Sequence, residues 1–322
     1  MQVLIVKTSS MGDILHTLPA LTDAMQALPE ICFDWVVEED FLQIPTWHPA
    51  VRQVIPVALR RWRKNWFGMA ARQERDNFKR HLQQELYDVV IDTQGLMKSA
   101  AFVTRLARGE KHGLDFTSAR EPFASWFYHQ RHKIGKQQHA IERIRQLLSA
   151  SLCYPISTAP VDYAIADYFT PKPDNEAYLV FLHATTRPDK EWPESHWRKL
   201  IQHASAAGYH IKLLWGTEYE QLRARRMING CCTAQVLPLL TLREVALQLV
   251  GAKAIVSVDT GLSHLAAALN CPNLTLYGKT NPKRIGVYGR NQQVLRSNAS
   301  NNNIEYLTAK HVWRLLQPLL TT

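Results

Sequence analysis

Short apolar runs alternate with amphipathic segments along most of the 322 residues. Continuously apolar runs of this length are typical of strands buried on both faces of a parallel sheet. They occur at 3–6, 33–37, 54–57, 89–91, 178–182, 211–215, 254–258 and 274–277. Helical periodicity is found between most of them, at 66–86, 96–107, 139–152, 195–207, 241–250 and 261–269. This alternation predicts an α/β protein with parallel sheets covered by helices.

The segment 153–178 interrupts the alternation, because it contains four prolines and has no sustained period. It predicts a connection between two Rossmann-like, doubly wound domains that face a cleft. We expect a first domain at 1–160, a linker at 161–177, a second domain at 178–306 and a C-terminal helix at 307–322 that packs back across the domains. In such sheets, ligands bind beyond the carboxyl ends of the strands.

Composition narrows the class of protein. The five cysteines form no CxxC pair, which predicts reduced, mostly structural thiols. The chain begins almost directly with a strand, without the features of a signal peptide, and contains no apolar stretch of the roughly 18 residues that span a bilayer. We therefore expect a cytosolic protein.

The net charge of +10 is concentrated in one region. Residues 50–145 contain 19 Lys and Arg against 9 Asp and Glu, a net charge of +10. Residues 1–49 contain 1 against 7 and residues 146–322 contain 18 against 12, so their net charges of −6 and +6 cancel. A local basic excess indicates a polyanionic partner: a nucleic acid, a phosphorylated ligand or an anionic membrane surface.

The first strand is followed by the polar turn "KTSSMGD" and then by a helical pattern. Ser10, Gly12 and Asp13 lie at this junction. A carboxylate at this position is either a plain helix cap or a functional group at the carboxyl end of the strand.

A sharper motif is "IVSVDTGLSHL" at 255–265. The strand ends at Asp259, Thr260 and Gly261 form the turn, and His264 lies one turn into the next helix. The amide groups of such a helix start can bind a diphosphate, and the missing side chain at Gly261 allows close approach. Asp259 is better suited to accept hydrogen bonds from sugar hydroxyls. The alternative is a capped turn with a structural histidine.

Two further segments follow strands of the second half. Thr185 and Thr186 offer hydroxyl donors to phosphate, Lys190 can neutralise a leaving diphosphate, and Glu220 lies where a carboxylate commonly binds a ribose diol. The alternative for Lys190 and Glu220 is a solvated surface position. The chain contains no GxGxxG, GxxxxGK[ST] or Asp-x-Asp motif, so Lys190 and the helix dipole are expected to neutralise the diphosphate without a metal.

The segment "ALRRWRKNWFG" at 58–68 combines a cluster of cations with two tryptophans. The cations are Arg60, Arg61, Arg63 and Lys64. Arginine suits bidentate phosphate contacts, and Trp62 and Trp66 favour a surface that meets a lipid or a base. The alternative is a solvated charge run. Further basic residues of this half include Arg120 and Arg143.

Together, "VKTSSMGDILHTLPALTDA", "RRWRK", "FLHATTR" with the following Lys190 and "WP", and "VSVDTGLSHL" closely resemble the lipopolysaccharide heptosyltransferase I family. The resemblance extends along essentially the whole chain. It implies a glycosyltransferase-B fold with an acceptor-binding first domain and a donor-binding second domain. Asp13 matches the family's general base. The donor-binding positions matched are Thr185, Thr186, Lys190, Glu220, Leu240, Asp259, Thr260, Gly261 and His264.

The resemblance implies transfer of L-glycero-D-manno-heptose from ADP-heptose to a Kdo residue of Kdo2-lipid A, with inversion and without a cofactor or metal. Asp13 then removes the proton of the attacking hydroxyl. We expect the acceptor to contact a set of residues in the first domain: Ser10, Gly12, Arg60, Arg61, Arg63, Lys64, Arg120 and Arg143. The expected location is the cytoplasmic face of the inner membrane, on its anionic surface. Lys279 and Asn281 depart from the family, which usually has Pro and Asp there.

Three other functions stay open. A related nucleotide-sugar transferase with a different core acceptor needs the same motifs. A dinucleotide-dependent oxidoreductase can use the same frame, but the missing GxGxxG counts against it. A nucleic-acid binder built on the basic region requires strongly salt-dependent binding without affinity for ADP, and we expect no nucleic-acid partner.

Overall fold

The computed structural model describes residues 1–171, 176–298 and 301–321. The chain divides into two compact units, Met1–Ala164 and Ile165–Thr322. Part of the predicted linker, 172–175, lies outside the described residues, as do residues 299–300 of the predicted second domain and residue 322 of the predicted final helix.

Within the described residues, each unit contains one six-stranded sheet, and every strand pair is parallel. The strands of the first unit are β1 Gln2–Val6, β2 Cys32–Glu38, β3 Val51–Val57, β4 Leu86–Asp92, β5 Arg108–Leu114 and β6 Gln130–His132. Those of the second unit are β7 Tyr178–Leu182, β8 His210–Leu213, β9 Ala234–Val236, β10 Ala254–Val258, β11 Asn273–Tyr277 and β12 Gln292–Arg296.

Helices connect the strands. In the first unit they are α1 Met11–Leu15, α2 Leu18–Ala27, α3 Gln43–Thr46, α4 Leu59–Lys64, α5 Met69–Leu82, α6 Met97–Ser99 and α7 Ala140–Leu152. In the second unit they are α8 Glu194–Ala206, α9 Glu218–Ile228, α10 Leu242–Val250, α11 Gly261–Ala268, α12 Pro282–Ile285 and α13 Ala309–Leu320. A π-turn at Ala100–Thr104 continues α6, and a 3-10 helix at Pro122–Phe127 follows β5.

Both sheets have the strand order of a dinucleotide-binding Rossmann fold. The order is β3-β2-β1-β4-β5-β6 in the first unit and β12-β11-β10-β7-β8-β9 in the second, which is the same order read from the other edge. The order therefore reverses between β1 and β4 and again between β7 and β10. Ligands of such sheets bind at these switch points, beyond the carboxyl ends of the strands.

The predicted α/β class and parallel sheets are confirmed. Every predicted strand is present, with its ends shifted by at most a few residues, whereas β5, β6, β9 and β12 were not predicted. The missed strands lie towards the sheet edges, where β5 "RGEKHGL" and β12 "QQVLR" lack a continuous apolar run because they are only partly buried.

Helix α13 packs on α8 and on the strands β10 and β11 of its own unit. Val312 and Leu316 enter the core of that unit. Its predicted packing across both domains stays a prediction. No helix within 1–171, 176–298 and 301–321 is long and apolar enough to cross a membrane.

Candidate active site

The turn after β1 lies at the switch point of the first sheet. Lys7, which immediately follows the strand, is buried, and its Nζ donates to the carbonyl oxygen of Thr93 after β4 at 3.1 Å. The amides of Thr8 and Ser9 both donate to Oε1 of Gln94, at 3.1 and 3.3 Å. Hydrogen bonds between the two turns thus fix the backbone that leads to α1.

Asp13 is half-buried in α1, and one of its oxygens forms a helix cap. Oδ2 accepts hydrogen bonds from the amide of Ser10 at 2.9 Å and from its hydroxyl at 3.0 Å. The capping interaction considered at the sequence level is therefore present. A carboxylate has two oxygens with about four acceptor positions, so capping and proton acceptance are compatible.

The buried Lys7 ammonium connects Asp13 electrostatically with the predicted acceptor residues. Burial lowers the pKa of Lys7, and the carboxylates of Asp13 and Asp92 oppose that shift, while Arg120 and Arg143 reinforce it. Asp13, Arg120 and Arg143, which are distant in sequence, are thus all close enough to interact electrostatically with Lys7. Sequence reasoning missed Lys7, although its place directly after a buried strand was a usable signal.

Arg120 and Arg143 differ in their surroundings. Arg120 is exposed, and it precedes Glu121, whose amide donates to the carbonyl of Gly95 in the turn after β4 at 3.2 Å. Arg143 is half-buried at the end of the first turn of α7, donates from Nη2 to the carbonyl of Ser118 at 2.7 Å, and has its pKa lowered by burial. Arg120 is therefore available to an anionic ligand, whereas Arg143 is partly committed to the protein.

The four predicted cations of α4 have unequal roles. Arg61 forms a bidentate pair with Glu39 at 2.9 and 3.0 Å and a further bond to Glu74 at 2.9 Å. Arg60 lies 3.7 Å from Asp40. Within the part of the chain that the structure describes, Arg63 and Lys64 make no ion pair, so they are the cations of α4 most available to a ligand.

A cavity of about 780 Å³ opens beside α4. It extends to Glu38 at the end of β2, whose amide donates to the carbonyl of Thr8 at 3.1 Å. Its basic and aromatic lining consists of Arg60, Arg61, Arg63, Lys64, Lys98, Trp66 and Phe102. Leu59 and the acids Glu38, Glu39 and Asp40 complete the lining, so five cations face three acids. The remaining excess of positive charge suits an anionic amphiphile, and the bond from Glu38 to Thr8 places one end of the cavity next to the turn that precedes α1.

The prediction that Trp62 lies at a lipid or base surface was wrong. Trp62 is only 4% exposed, packs on Phe78, and donates from Nε1 to Glu74 at 2.6 Å. Trp66 is half-buried between the guanidinium of Arg75, 4.1 Å from its ring, and the ring of Phe102 at 5.0 Å. Trp62 is buried because packing on α5 orients α4, which the short run of residues could not reveal.

At the switch point of the second sheet, the predicted donor residues come together. Nζ of Lys190 lies 2.6 Å from Oδ2 of the buried Asp259, at the end of β10. The hydroxyl of Thr185, after β7, donates to the backbone carbonyl of Asp259 at 3.3 Å. The sequence predicted separate ligand contacts for Lys190 and Asp259 and did not predict this ion pair.

Helix α11 begins at Gly261, two residues after Asp259, with Thr260 as its N-cap and without a side-chain cap. The first amides of a helix have no acceptor inside the helix, so those of Gly261 and Leu262 can bind an anion. His264 is buried within the helix, and Thr186 is exposed in the loop that precedes Lys190.

Glu220 and Leu240 lie farther along the same edge of the sheet. Glu220, in the first turn of α9 after β8, accepts from the amides of Gly216 and Thr217 through Oε2, at 2.7 and 3.1 Å. Leu240 is half-buried in the segment between β9 and α10. Glu220 is thus a helix cap with a second oxygen left for a ligand.

The buried Arg223 of α9 is a residue that sequence reasoning missed. It donates from Nη1 to the carbonyl of His183 at 2.8 Å and from Nη2 to the carbonyl of Trp192 at 2.6 Å. It therefore braces both ends of the loop that carries Thr185, Thr186 and Lys190. A usable signal was its place on the apolar stripe of α9, next to Ala224 and four residues before Met227.

Within the described ranges, no three His, Cys, Asp or Glu side chains are grouped so as to hold a metal ion. All five cysteines are free thiols. Asn281, at one of the two positions that depart from the family, caps α12 by accepting from the amide of Lys283 at 3.1 Å.

Two Rossmann-like sheets, with a basic, phosphate-compatible switch point in the second, define a glycosyltransferase of the glycosyltransferase-B class. The model of glycosyltransferase family 9 (heptosyltransferase) matches residues 75–311, and the chain belongs to this family. The chain is 59% identical to lipopolysaccharide heptosyltransferase 1 of Escherichia coli (strain K12), over 99% of this chain and 100% of that protein. It is 58% identical to lipopolysaccharide heptosyltransferase 1 of Salmonella typhimurium, over 94% and 96%.

Solved structures agree. The E. coli heptosyltransferase WaaC with ADP is 57% identical and superposes with a TM-score of 0.96, covering 99% of this chain and 100% of that one. WaaC with ADP-2-deoxy-2-fluoro heptose superposes with a TM-score of 0.93 at 57% identity, covering 99% of each chain. The predicted family, fold class and enzyme class are confirmed.

Proposed function

We propose that this heptosyltransferase transfers L-glycero-D-manno-heptose from ADP-heptose to a Kdo residue of Kdo2-lipid A, with inversion at the anomeric carbon. The observation that carries the proposal is the meeting of Lys190, Thr185, Asp259 and the start of α11 at the switch point of the second sheet. The ADP and ADP-sugar analogue named with WaaC support an ADP-linked donor.

The second unit binds the donor in this proposal. The diphosphate accepts hydrogen bonds from the first amides of α11 and from the hydroxyls of Thr185 and Thr186. Lys190, held by Asp259, supplies positive charge to the leaving group as the glycosidic bond breaks. Glu220 binds the ribose diol through the oxygen that the helix cap leaves open, and Leu240 and His264 complete the donor pocket.

The first unit supplies the base. The acceptor hydroxyl oxygen attacks the anomeric carbon, the bond from that carbon to the β-phosphate oxygen breaks, and ADP leaves with the electron pair. Asp13 takes the hydroxyl proton. The hydrogen bonds from the amide and hydroxyl of Ser10 hold its orientation.

The acceptor is an anionic amphiphile, and the basic surface of the first unit suits it. Arg63 and Lys64, together with Arg60, Arg61 and Arg120, contact its negatively charged groups. Ser10, Gly12 and Arg143 line the route to Asp13. The protein acts from the cytoplasmic side as a peripheral protein on the anionic inner-membrane surface. Nucleic acid is not a partner.

The reaction needs no cofactor and no metal in this proposal, because Lys190 and the amides of α11 neutralise the diphosphate. The fitting assay incubates the protein with ADP-heptose and deacylated Kdo2-lipid A and reads the product by mass spectrometry, with and without EDTA. We expect an acceptor carrying one added heptose in both samples. Loss of turnover with EDTA and its return with Mg²⁺ would contradict the metal-free step.

A related transferase with another core acceptor is the second candidate, since the donor residues are common to both. The same assay with an acceptor that already carries a heptose separates them. Turnover of that acceptor alone would overturn the proposed acceptor and leave the donor assignment intact.

A further inference from the structure

Three aromatic side chains form an exposed cluster on the first unit, here called the aromatic patch: Phe116, Phe123 and Trp126. They are 51%, 51% and 67% exposed. The ring centroids of Phe116 and Phe123 lie 5.8 Å apart, and those of Phe123 and Trp126 lie 4.9 Å apart. Large aromatic side chains that contact one another in water rather than in a core mark an interaction surface.

Further exposed apolar residues continue the aromatic patch. The 3-10 helix Pro122–Phe127, which carries Phe123 and Trp126, packs on the π-turn Ala100–Thr104. That turn presents Phe102, whose ring contacts Trp66 at 5.0 Å. Next to Trp66 stands Phe67, which is 94% exposed. The aromatic patch is therefore connected, through packed neighbours, with the basic helix α4.

Uncompensated positive charge surrounds these residues. Arg63, Arg105 and Arg120 are exposed and form no ion pair with any residue that the structure describes. The nearby acids Glu121 and Asp115 accept from the amides of Met97 and Ser118 and keep their negative charge, but residues 96–136, which carry the aromatic patch, contain 8 Lys and Arg against 3 Asp and Glu. The net field of this side of the unit therefore favours an anionic partner.

We propose that the aromatic patch inserts at the headgroup level of an anionic bilayer and anchors the first unit there. The inference rests on the proposed function in one respect: a membrane-embedded acceptor gives the anchor its use. Tryptophan and phenylalanine next to cations match an interface that is apolar below and negatively charged above. The buried apolar area and the electrostatic attraction to anionic lipids both contribute to the strength of such interfacial binding.

A vesicle-binding assay tests the proposal without any acceptor. The probes are vesicles of phosphatidylglycerol and phosphatidylethanolamine, with pure phosphatidylcholine for comparison. The variant is Phe123→Ser with Trp126→Ser, and the control is Tyr306→Ser, which removes an aromatic side chain of similar exposure (64%) from the second unit. Since each buried aromatic ring removes a large apolar area from water, we expect the partition coefficient of the double variant on anionic vesicles to fall at least about tenfold.

A conservative variant keeps the test independent of folding. Brominated phosphatidylglycerol quenches tryptophan that enters the bilayer, so the wild type should be quenched. Trp126→Phe should bind vesicles nearly as tightly and lose a clear part of that quenching. Equal quenching of both proteins, or equal binding by the wild type and the double serine variant, overturns the proposal.

Activity measurements separate this proposal from the proposed function. With deacylated Kdo2-lipid A in solution, the double serine variant should keep the kcat and KM of the wild type, whereas with the acceptor embedded in vesicles its KM should rise. If the wild type transfers no heptose, the proposed function is refuted, whereas the vesicle-binding result still tests the membrane anchor. A wild-type dimer in sedimentation that the double variant abolishes would identify a protein interface instead and refute the membrane assignment.

Discussion

The two units share one strand order but present opposite charges at their switch points. In the first, a buried lysine, Lys7, follows the strand and a half-buried carboxylate, Asp13, stands on the helix. In the second, a buried carboxylate, Asp259, follows the strand and the more exposed lysine, Lys190, pairs with it at 2.6 Å. The same frame thus offers an anionic group in one unit and a cationic group in the other.

This inversion corresponds to a division of chemical roles. A proton acceptor must be anionic before the reaction, and a group that stabilises a leaving diphosphate must be cationic. In the second unit the buried partner of opposite charge contacts the presented group directly, through the 2.6 Å pair of Lys190 and Asp259, and in the first unit Lys7 and Asp13 interact electrostatically. The fold alone therefore does not assign the roles; the charges at the two strand ends do.

The largest expected effect follows from neutralising the group in the first unit. Asp13→Asn keeps an oxygen that can accept from Ser10 but cannot serve as a base, so kcat should fall roughly 10²–10⁴-fold. Steady-state kinetics measure the loss, and the thermal midpoint should stay near that of the wild type. Ser10→Ala is the matched control for the cap. Near wild-type kcat in Asp13→Asn would make Asp13 a cap only.

Removing the cation of the second unit should have the next largest effect. Lys190→Ala loses a charged contact to the diphosphate, a loss of about 1.5–3 kcal/mol, or roughly 10–100-fold in kcat/KM for the donor. Arg187→Ala, at an exposed cation of the same loop that pairs with Asp189 at 2.7 Å, is the control. An equal loss of kcat/KM in both variants would mean that the overall positive charge of the loop matters, and not the specific position of Lys190.

Acid should destabilise both units through buried histidines. Burial lowers the pKa of His183 in the second unit to about 3 and that of His48 in the first to about 4. The unfolded chain binds these protons near pH 6.5, so it holds more protons than the native state between about pH 4 and 6.5, and stability falls as the pH falls. By pH 5 each histidine should contribute about 2 kcal/mol of lost stability.

Denaturant unfolding at pH 7.5 and 5 measures this loss, with His48→Gln and His183→Gln as separate variants. Each variant should show a smaller difference between the two pH values than the wild type does. An unchanged pH dependence in both variants would mean that other groups govern the acid transition.

The basic helix should contribute a smaller, salt-dependent effect. Replacing Arg63 and Lys64 by alanine removes about 1 kcal/mol each near an anionic surface, so KM for the vesicle-embedded acceptor should rise by up to roughly 30-fold and its salt dependence should weaken. Donor KM should not change. Arg61→Ala, which removes a cation engaged with Glu39 and Glu74, is the contrast. If only the donor KM changes, Arg63 and Lys64 do not bind the acceptor as proposed.

The smallest expected effect concerns Lys7. Lys7→Met removes a cation near Asp13 and should move the acid limb of the kcat/KM profile upward by less than about one pH unit. The thermal midpoint shows whether the fold is intact. If the pH profile of kcat/KM does not shift in a folded variant, Lys7 does not influence the catalytic base.

Sequence reasoning predicted the central strands because burial on both faces leaves a continuous apolar run, as in β1 and β10. It also singled out Asp13, Lys190 and Asp259 as candidate site residues, since polar residues in the segments after such strands reach the ligand-binding edge. It missed the polar edge strands, and it placed Trp62 on the surface because a six-residue helix does not reveal which side packs.

The missed site residues share one physical cause. Arg223 matters because it bonds the carbonyls of His183 and Trp192, and the Lys190–Asp259 pair exists because β7 and β10 are neighbours. Both depend on contacts between residues 31 to 69 positions apart in the sequence. Local pattern carries no information on such contacts until the strand order is known.

Calorimetric titration of ADP into the wild type, Asp13→Asn and Lys190→Ala tests the division of roles most directly. We expect an unchanged Kd for Asp13→Asn, together with its loss of kcat, and a Kd raised roughly 10–100-fold for Lys190→Ala. A weakened Kd in Asp13→Asn, or an unchanged Kd in Lys190→Ala, would contradict this division of roles.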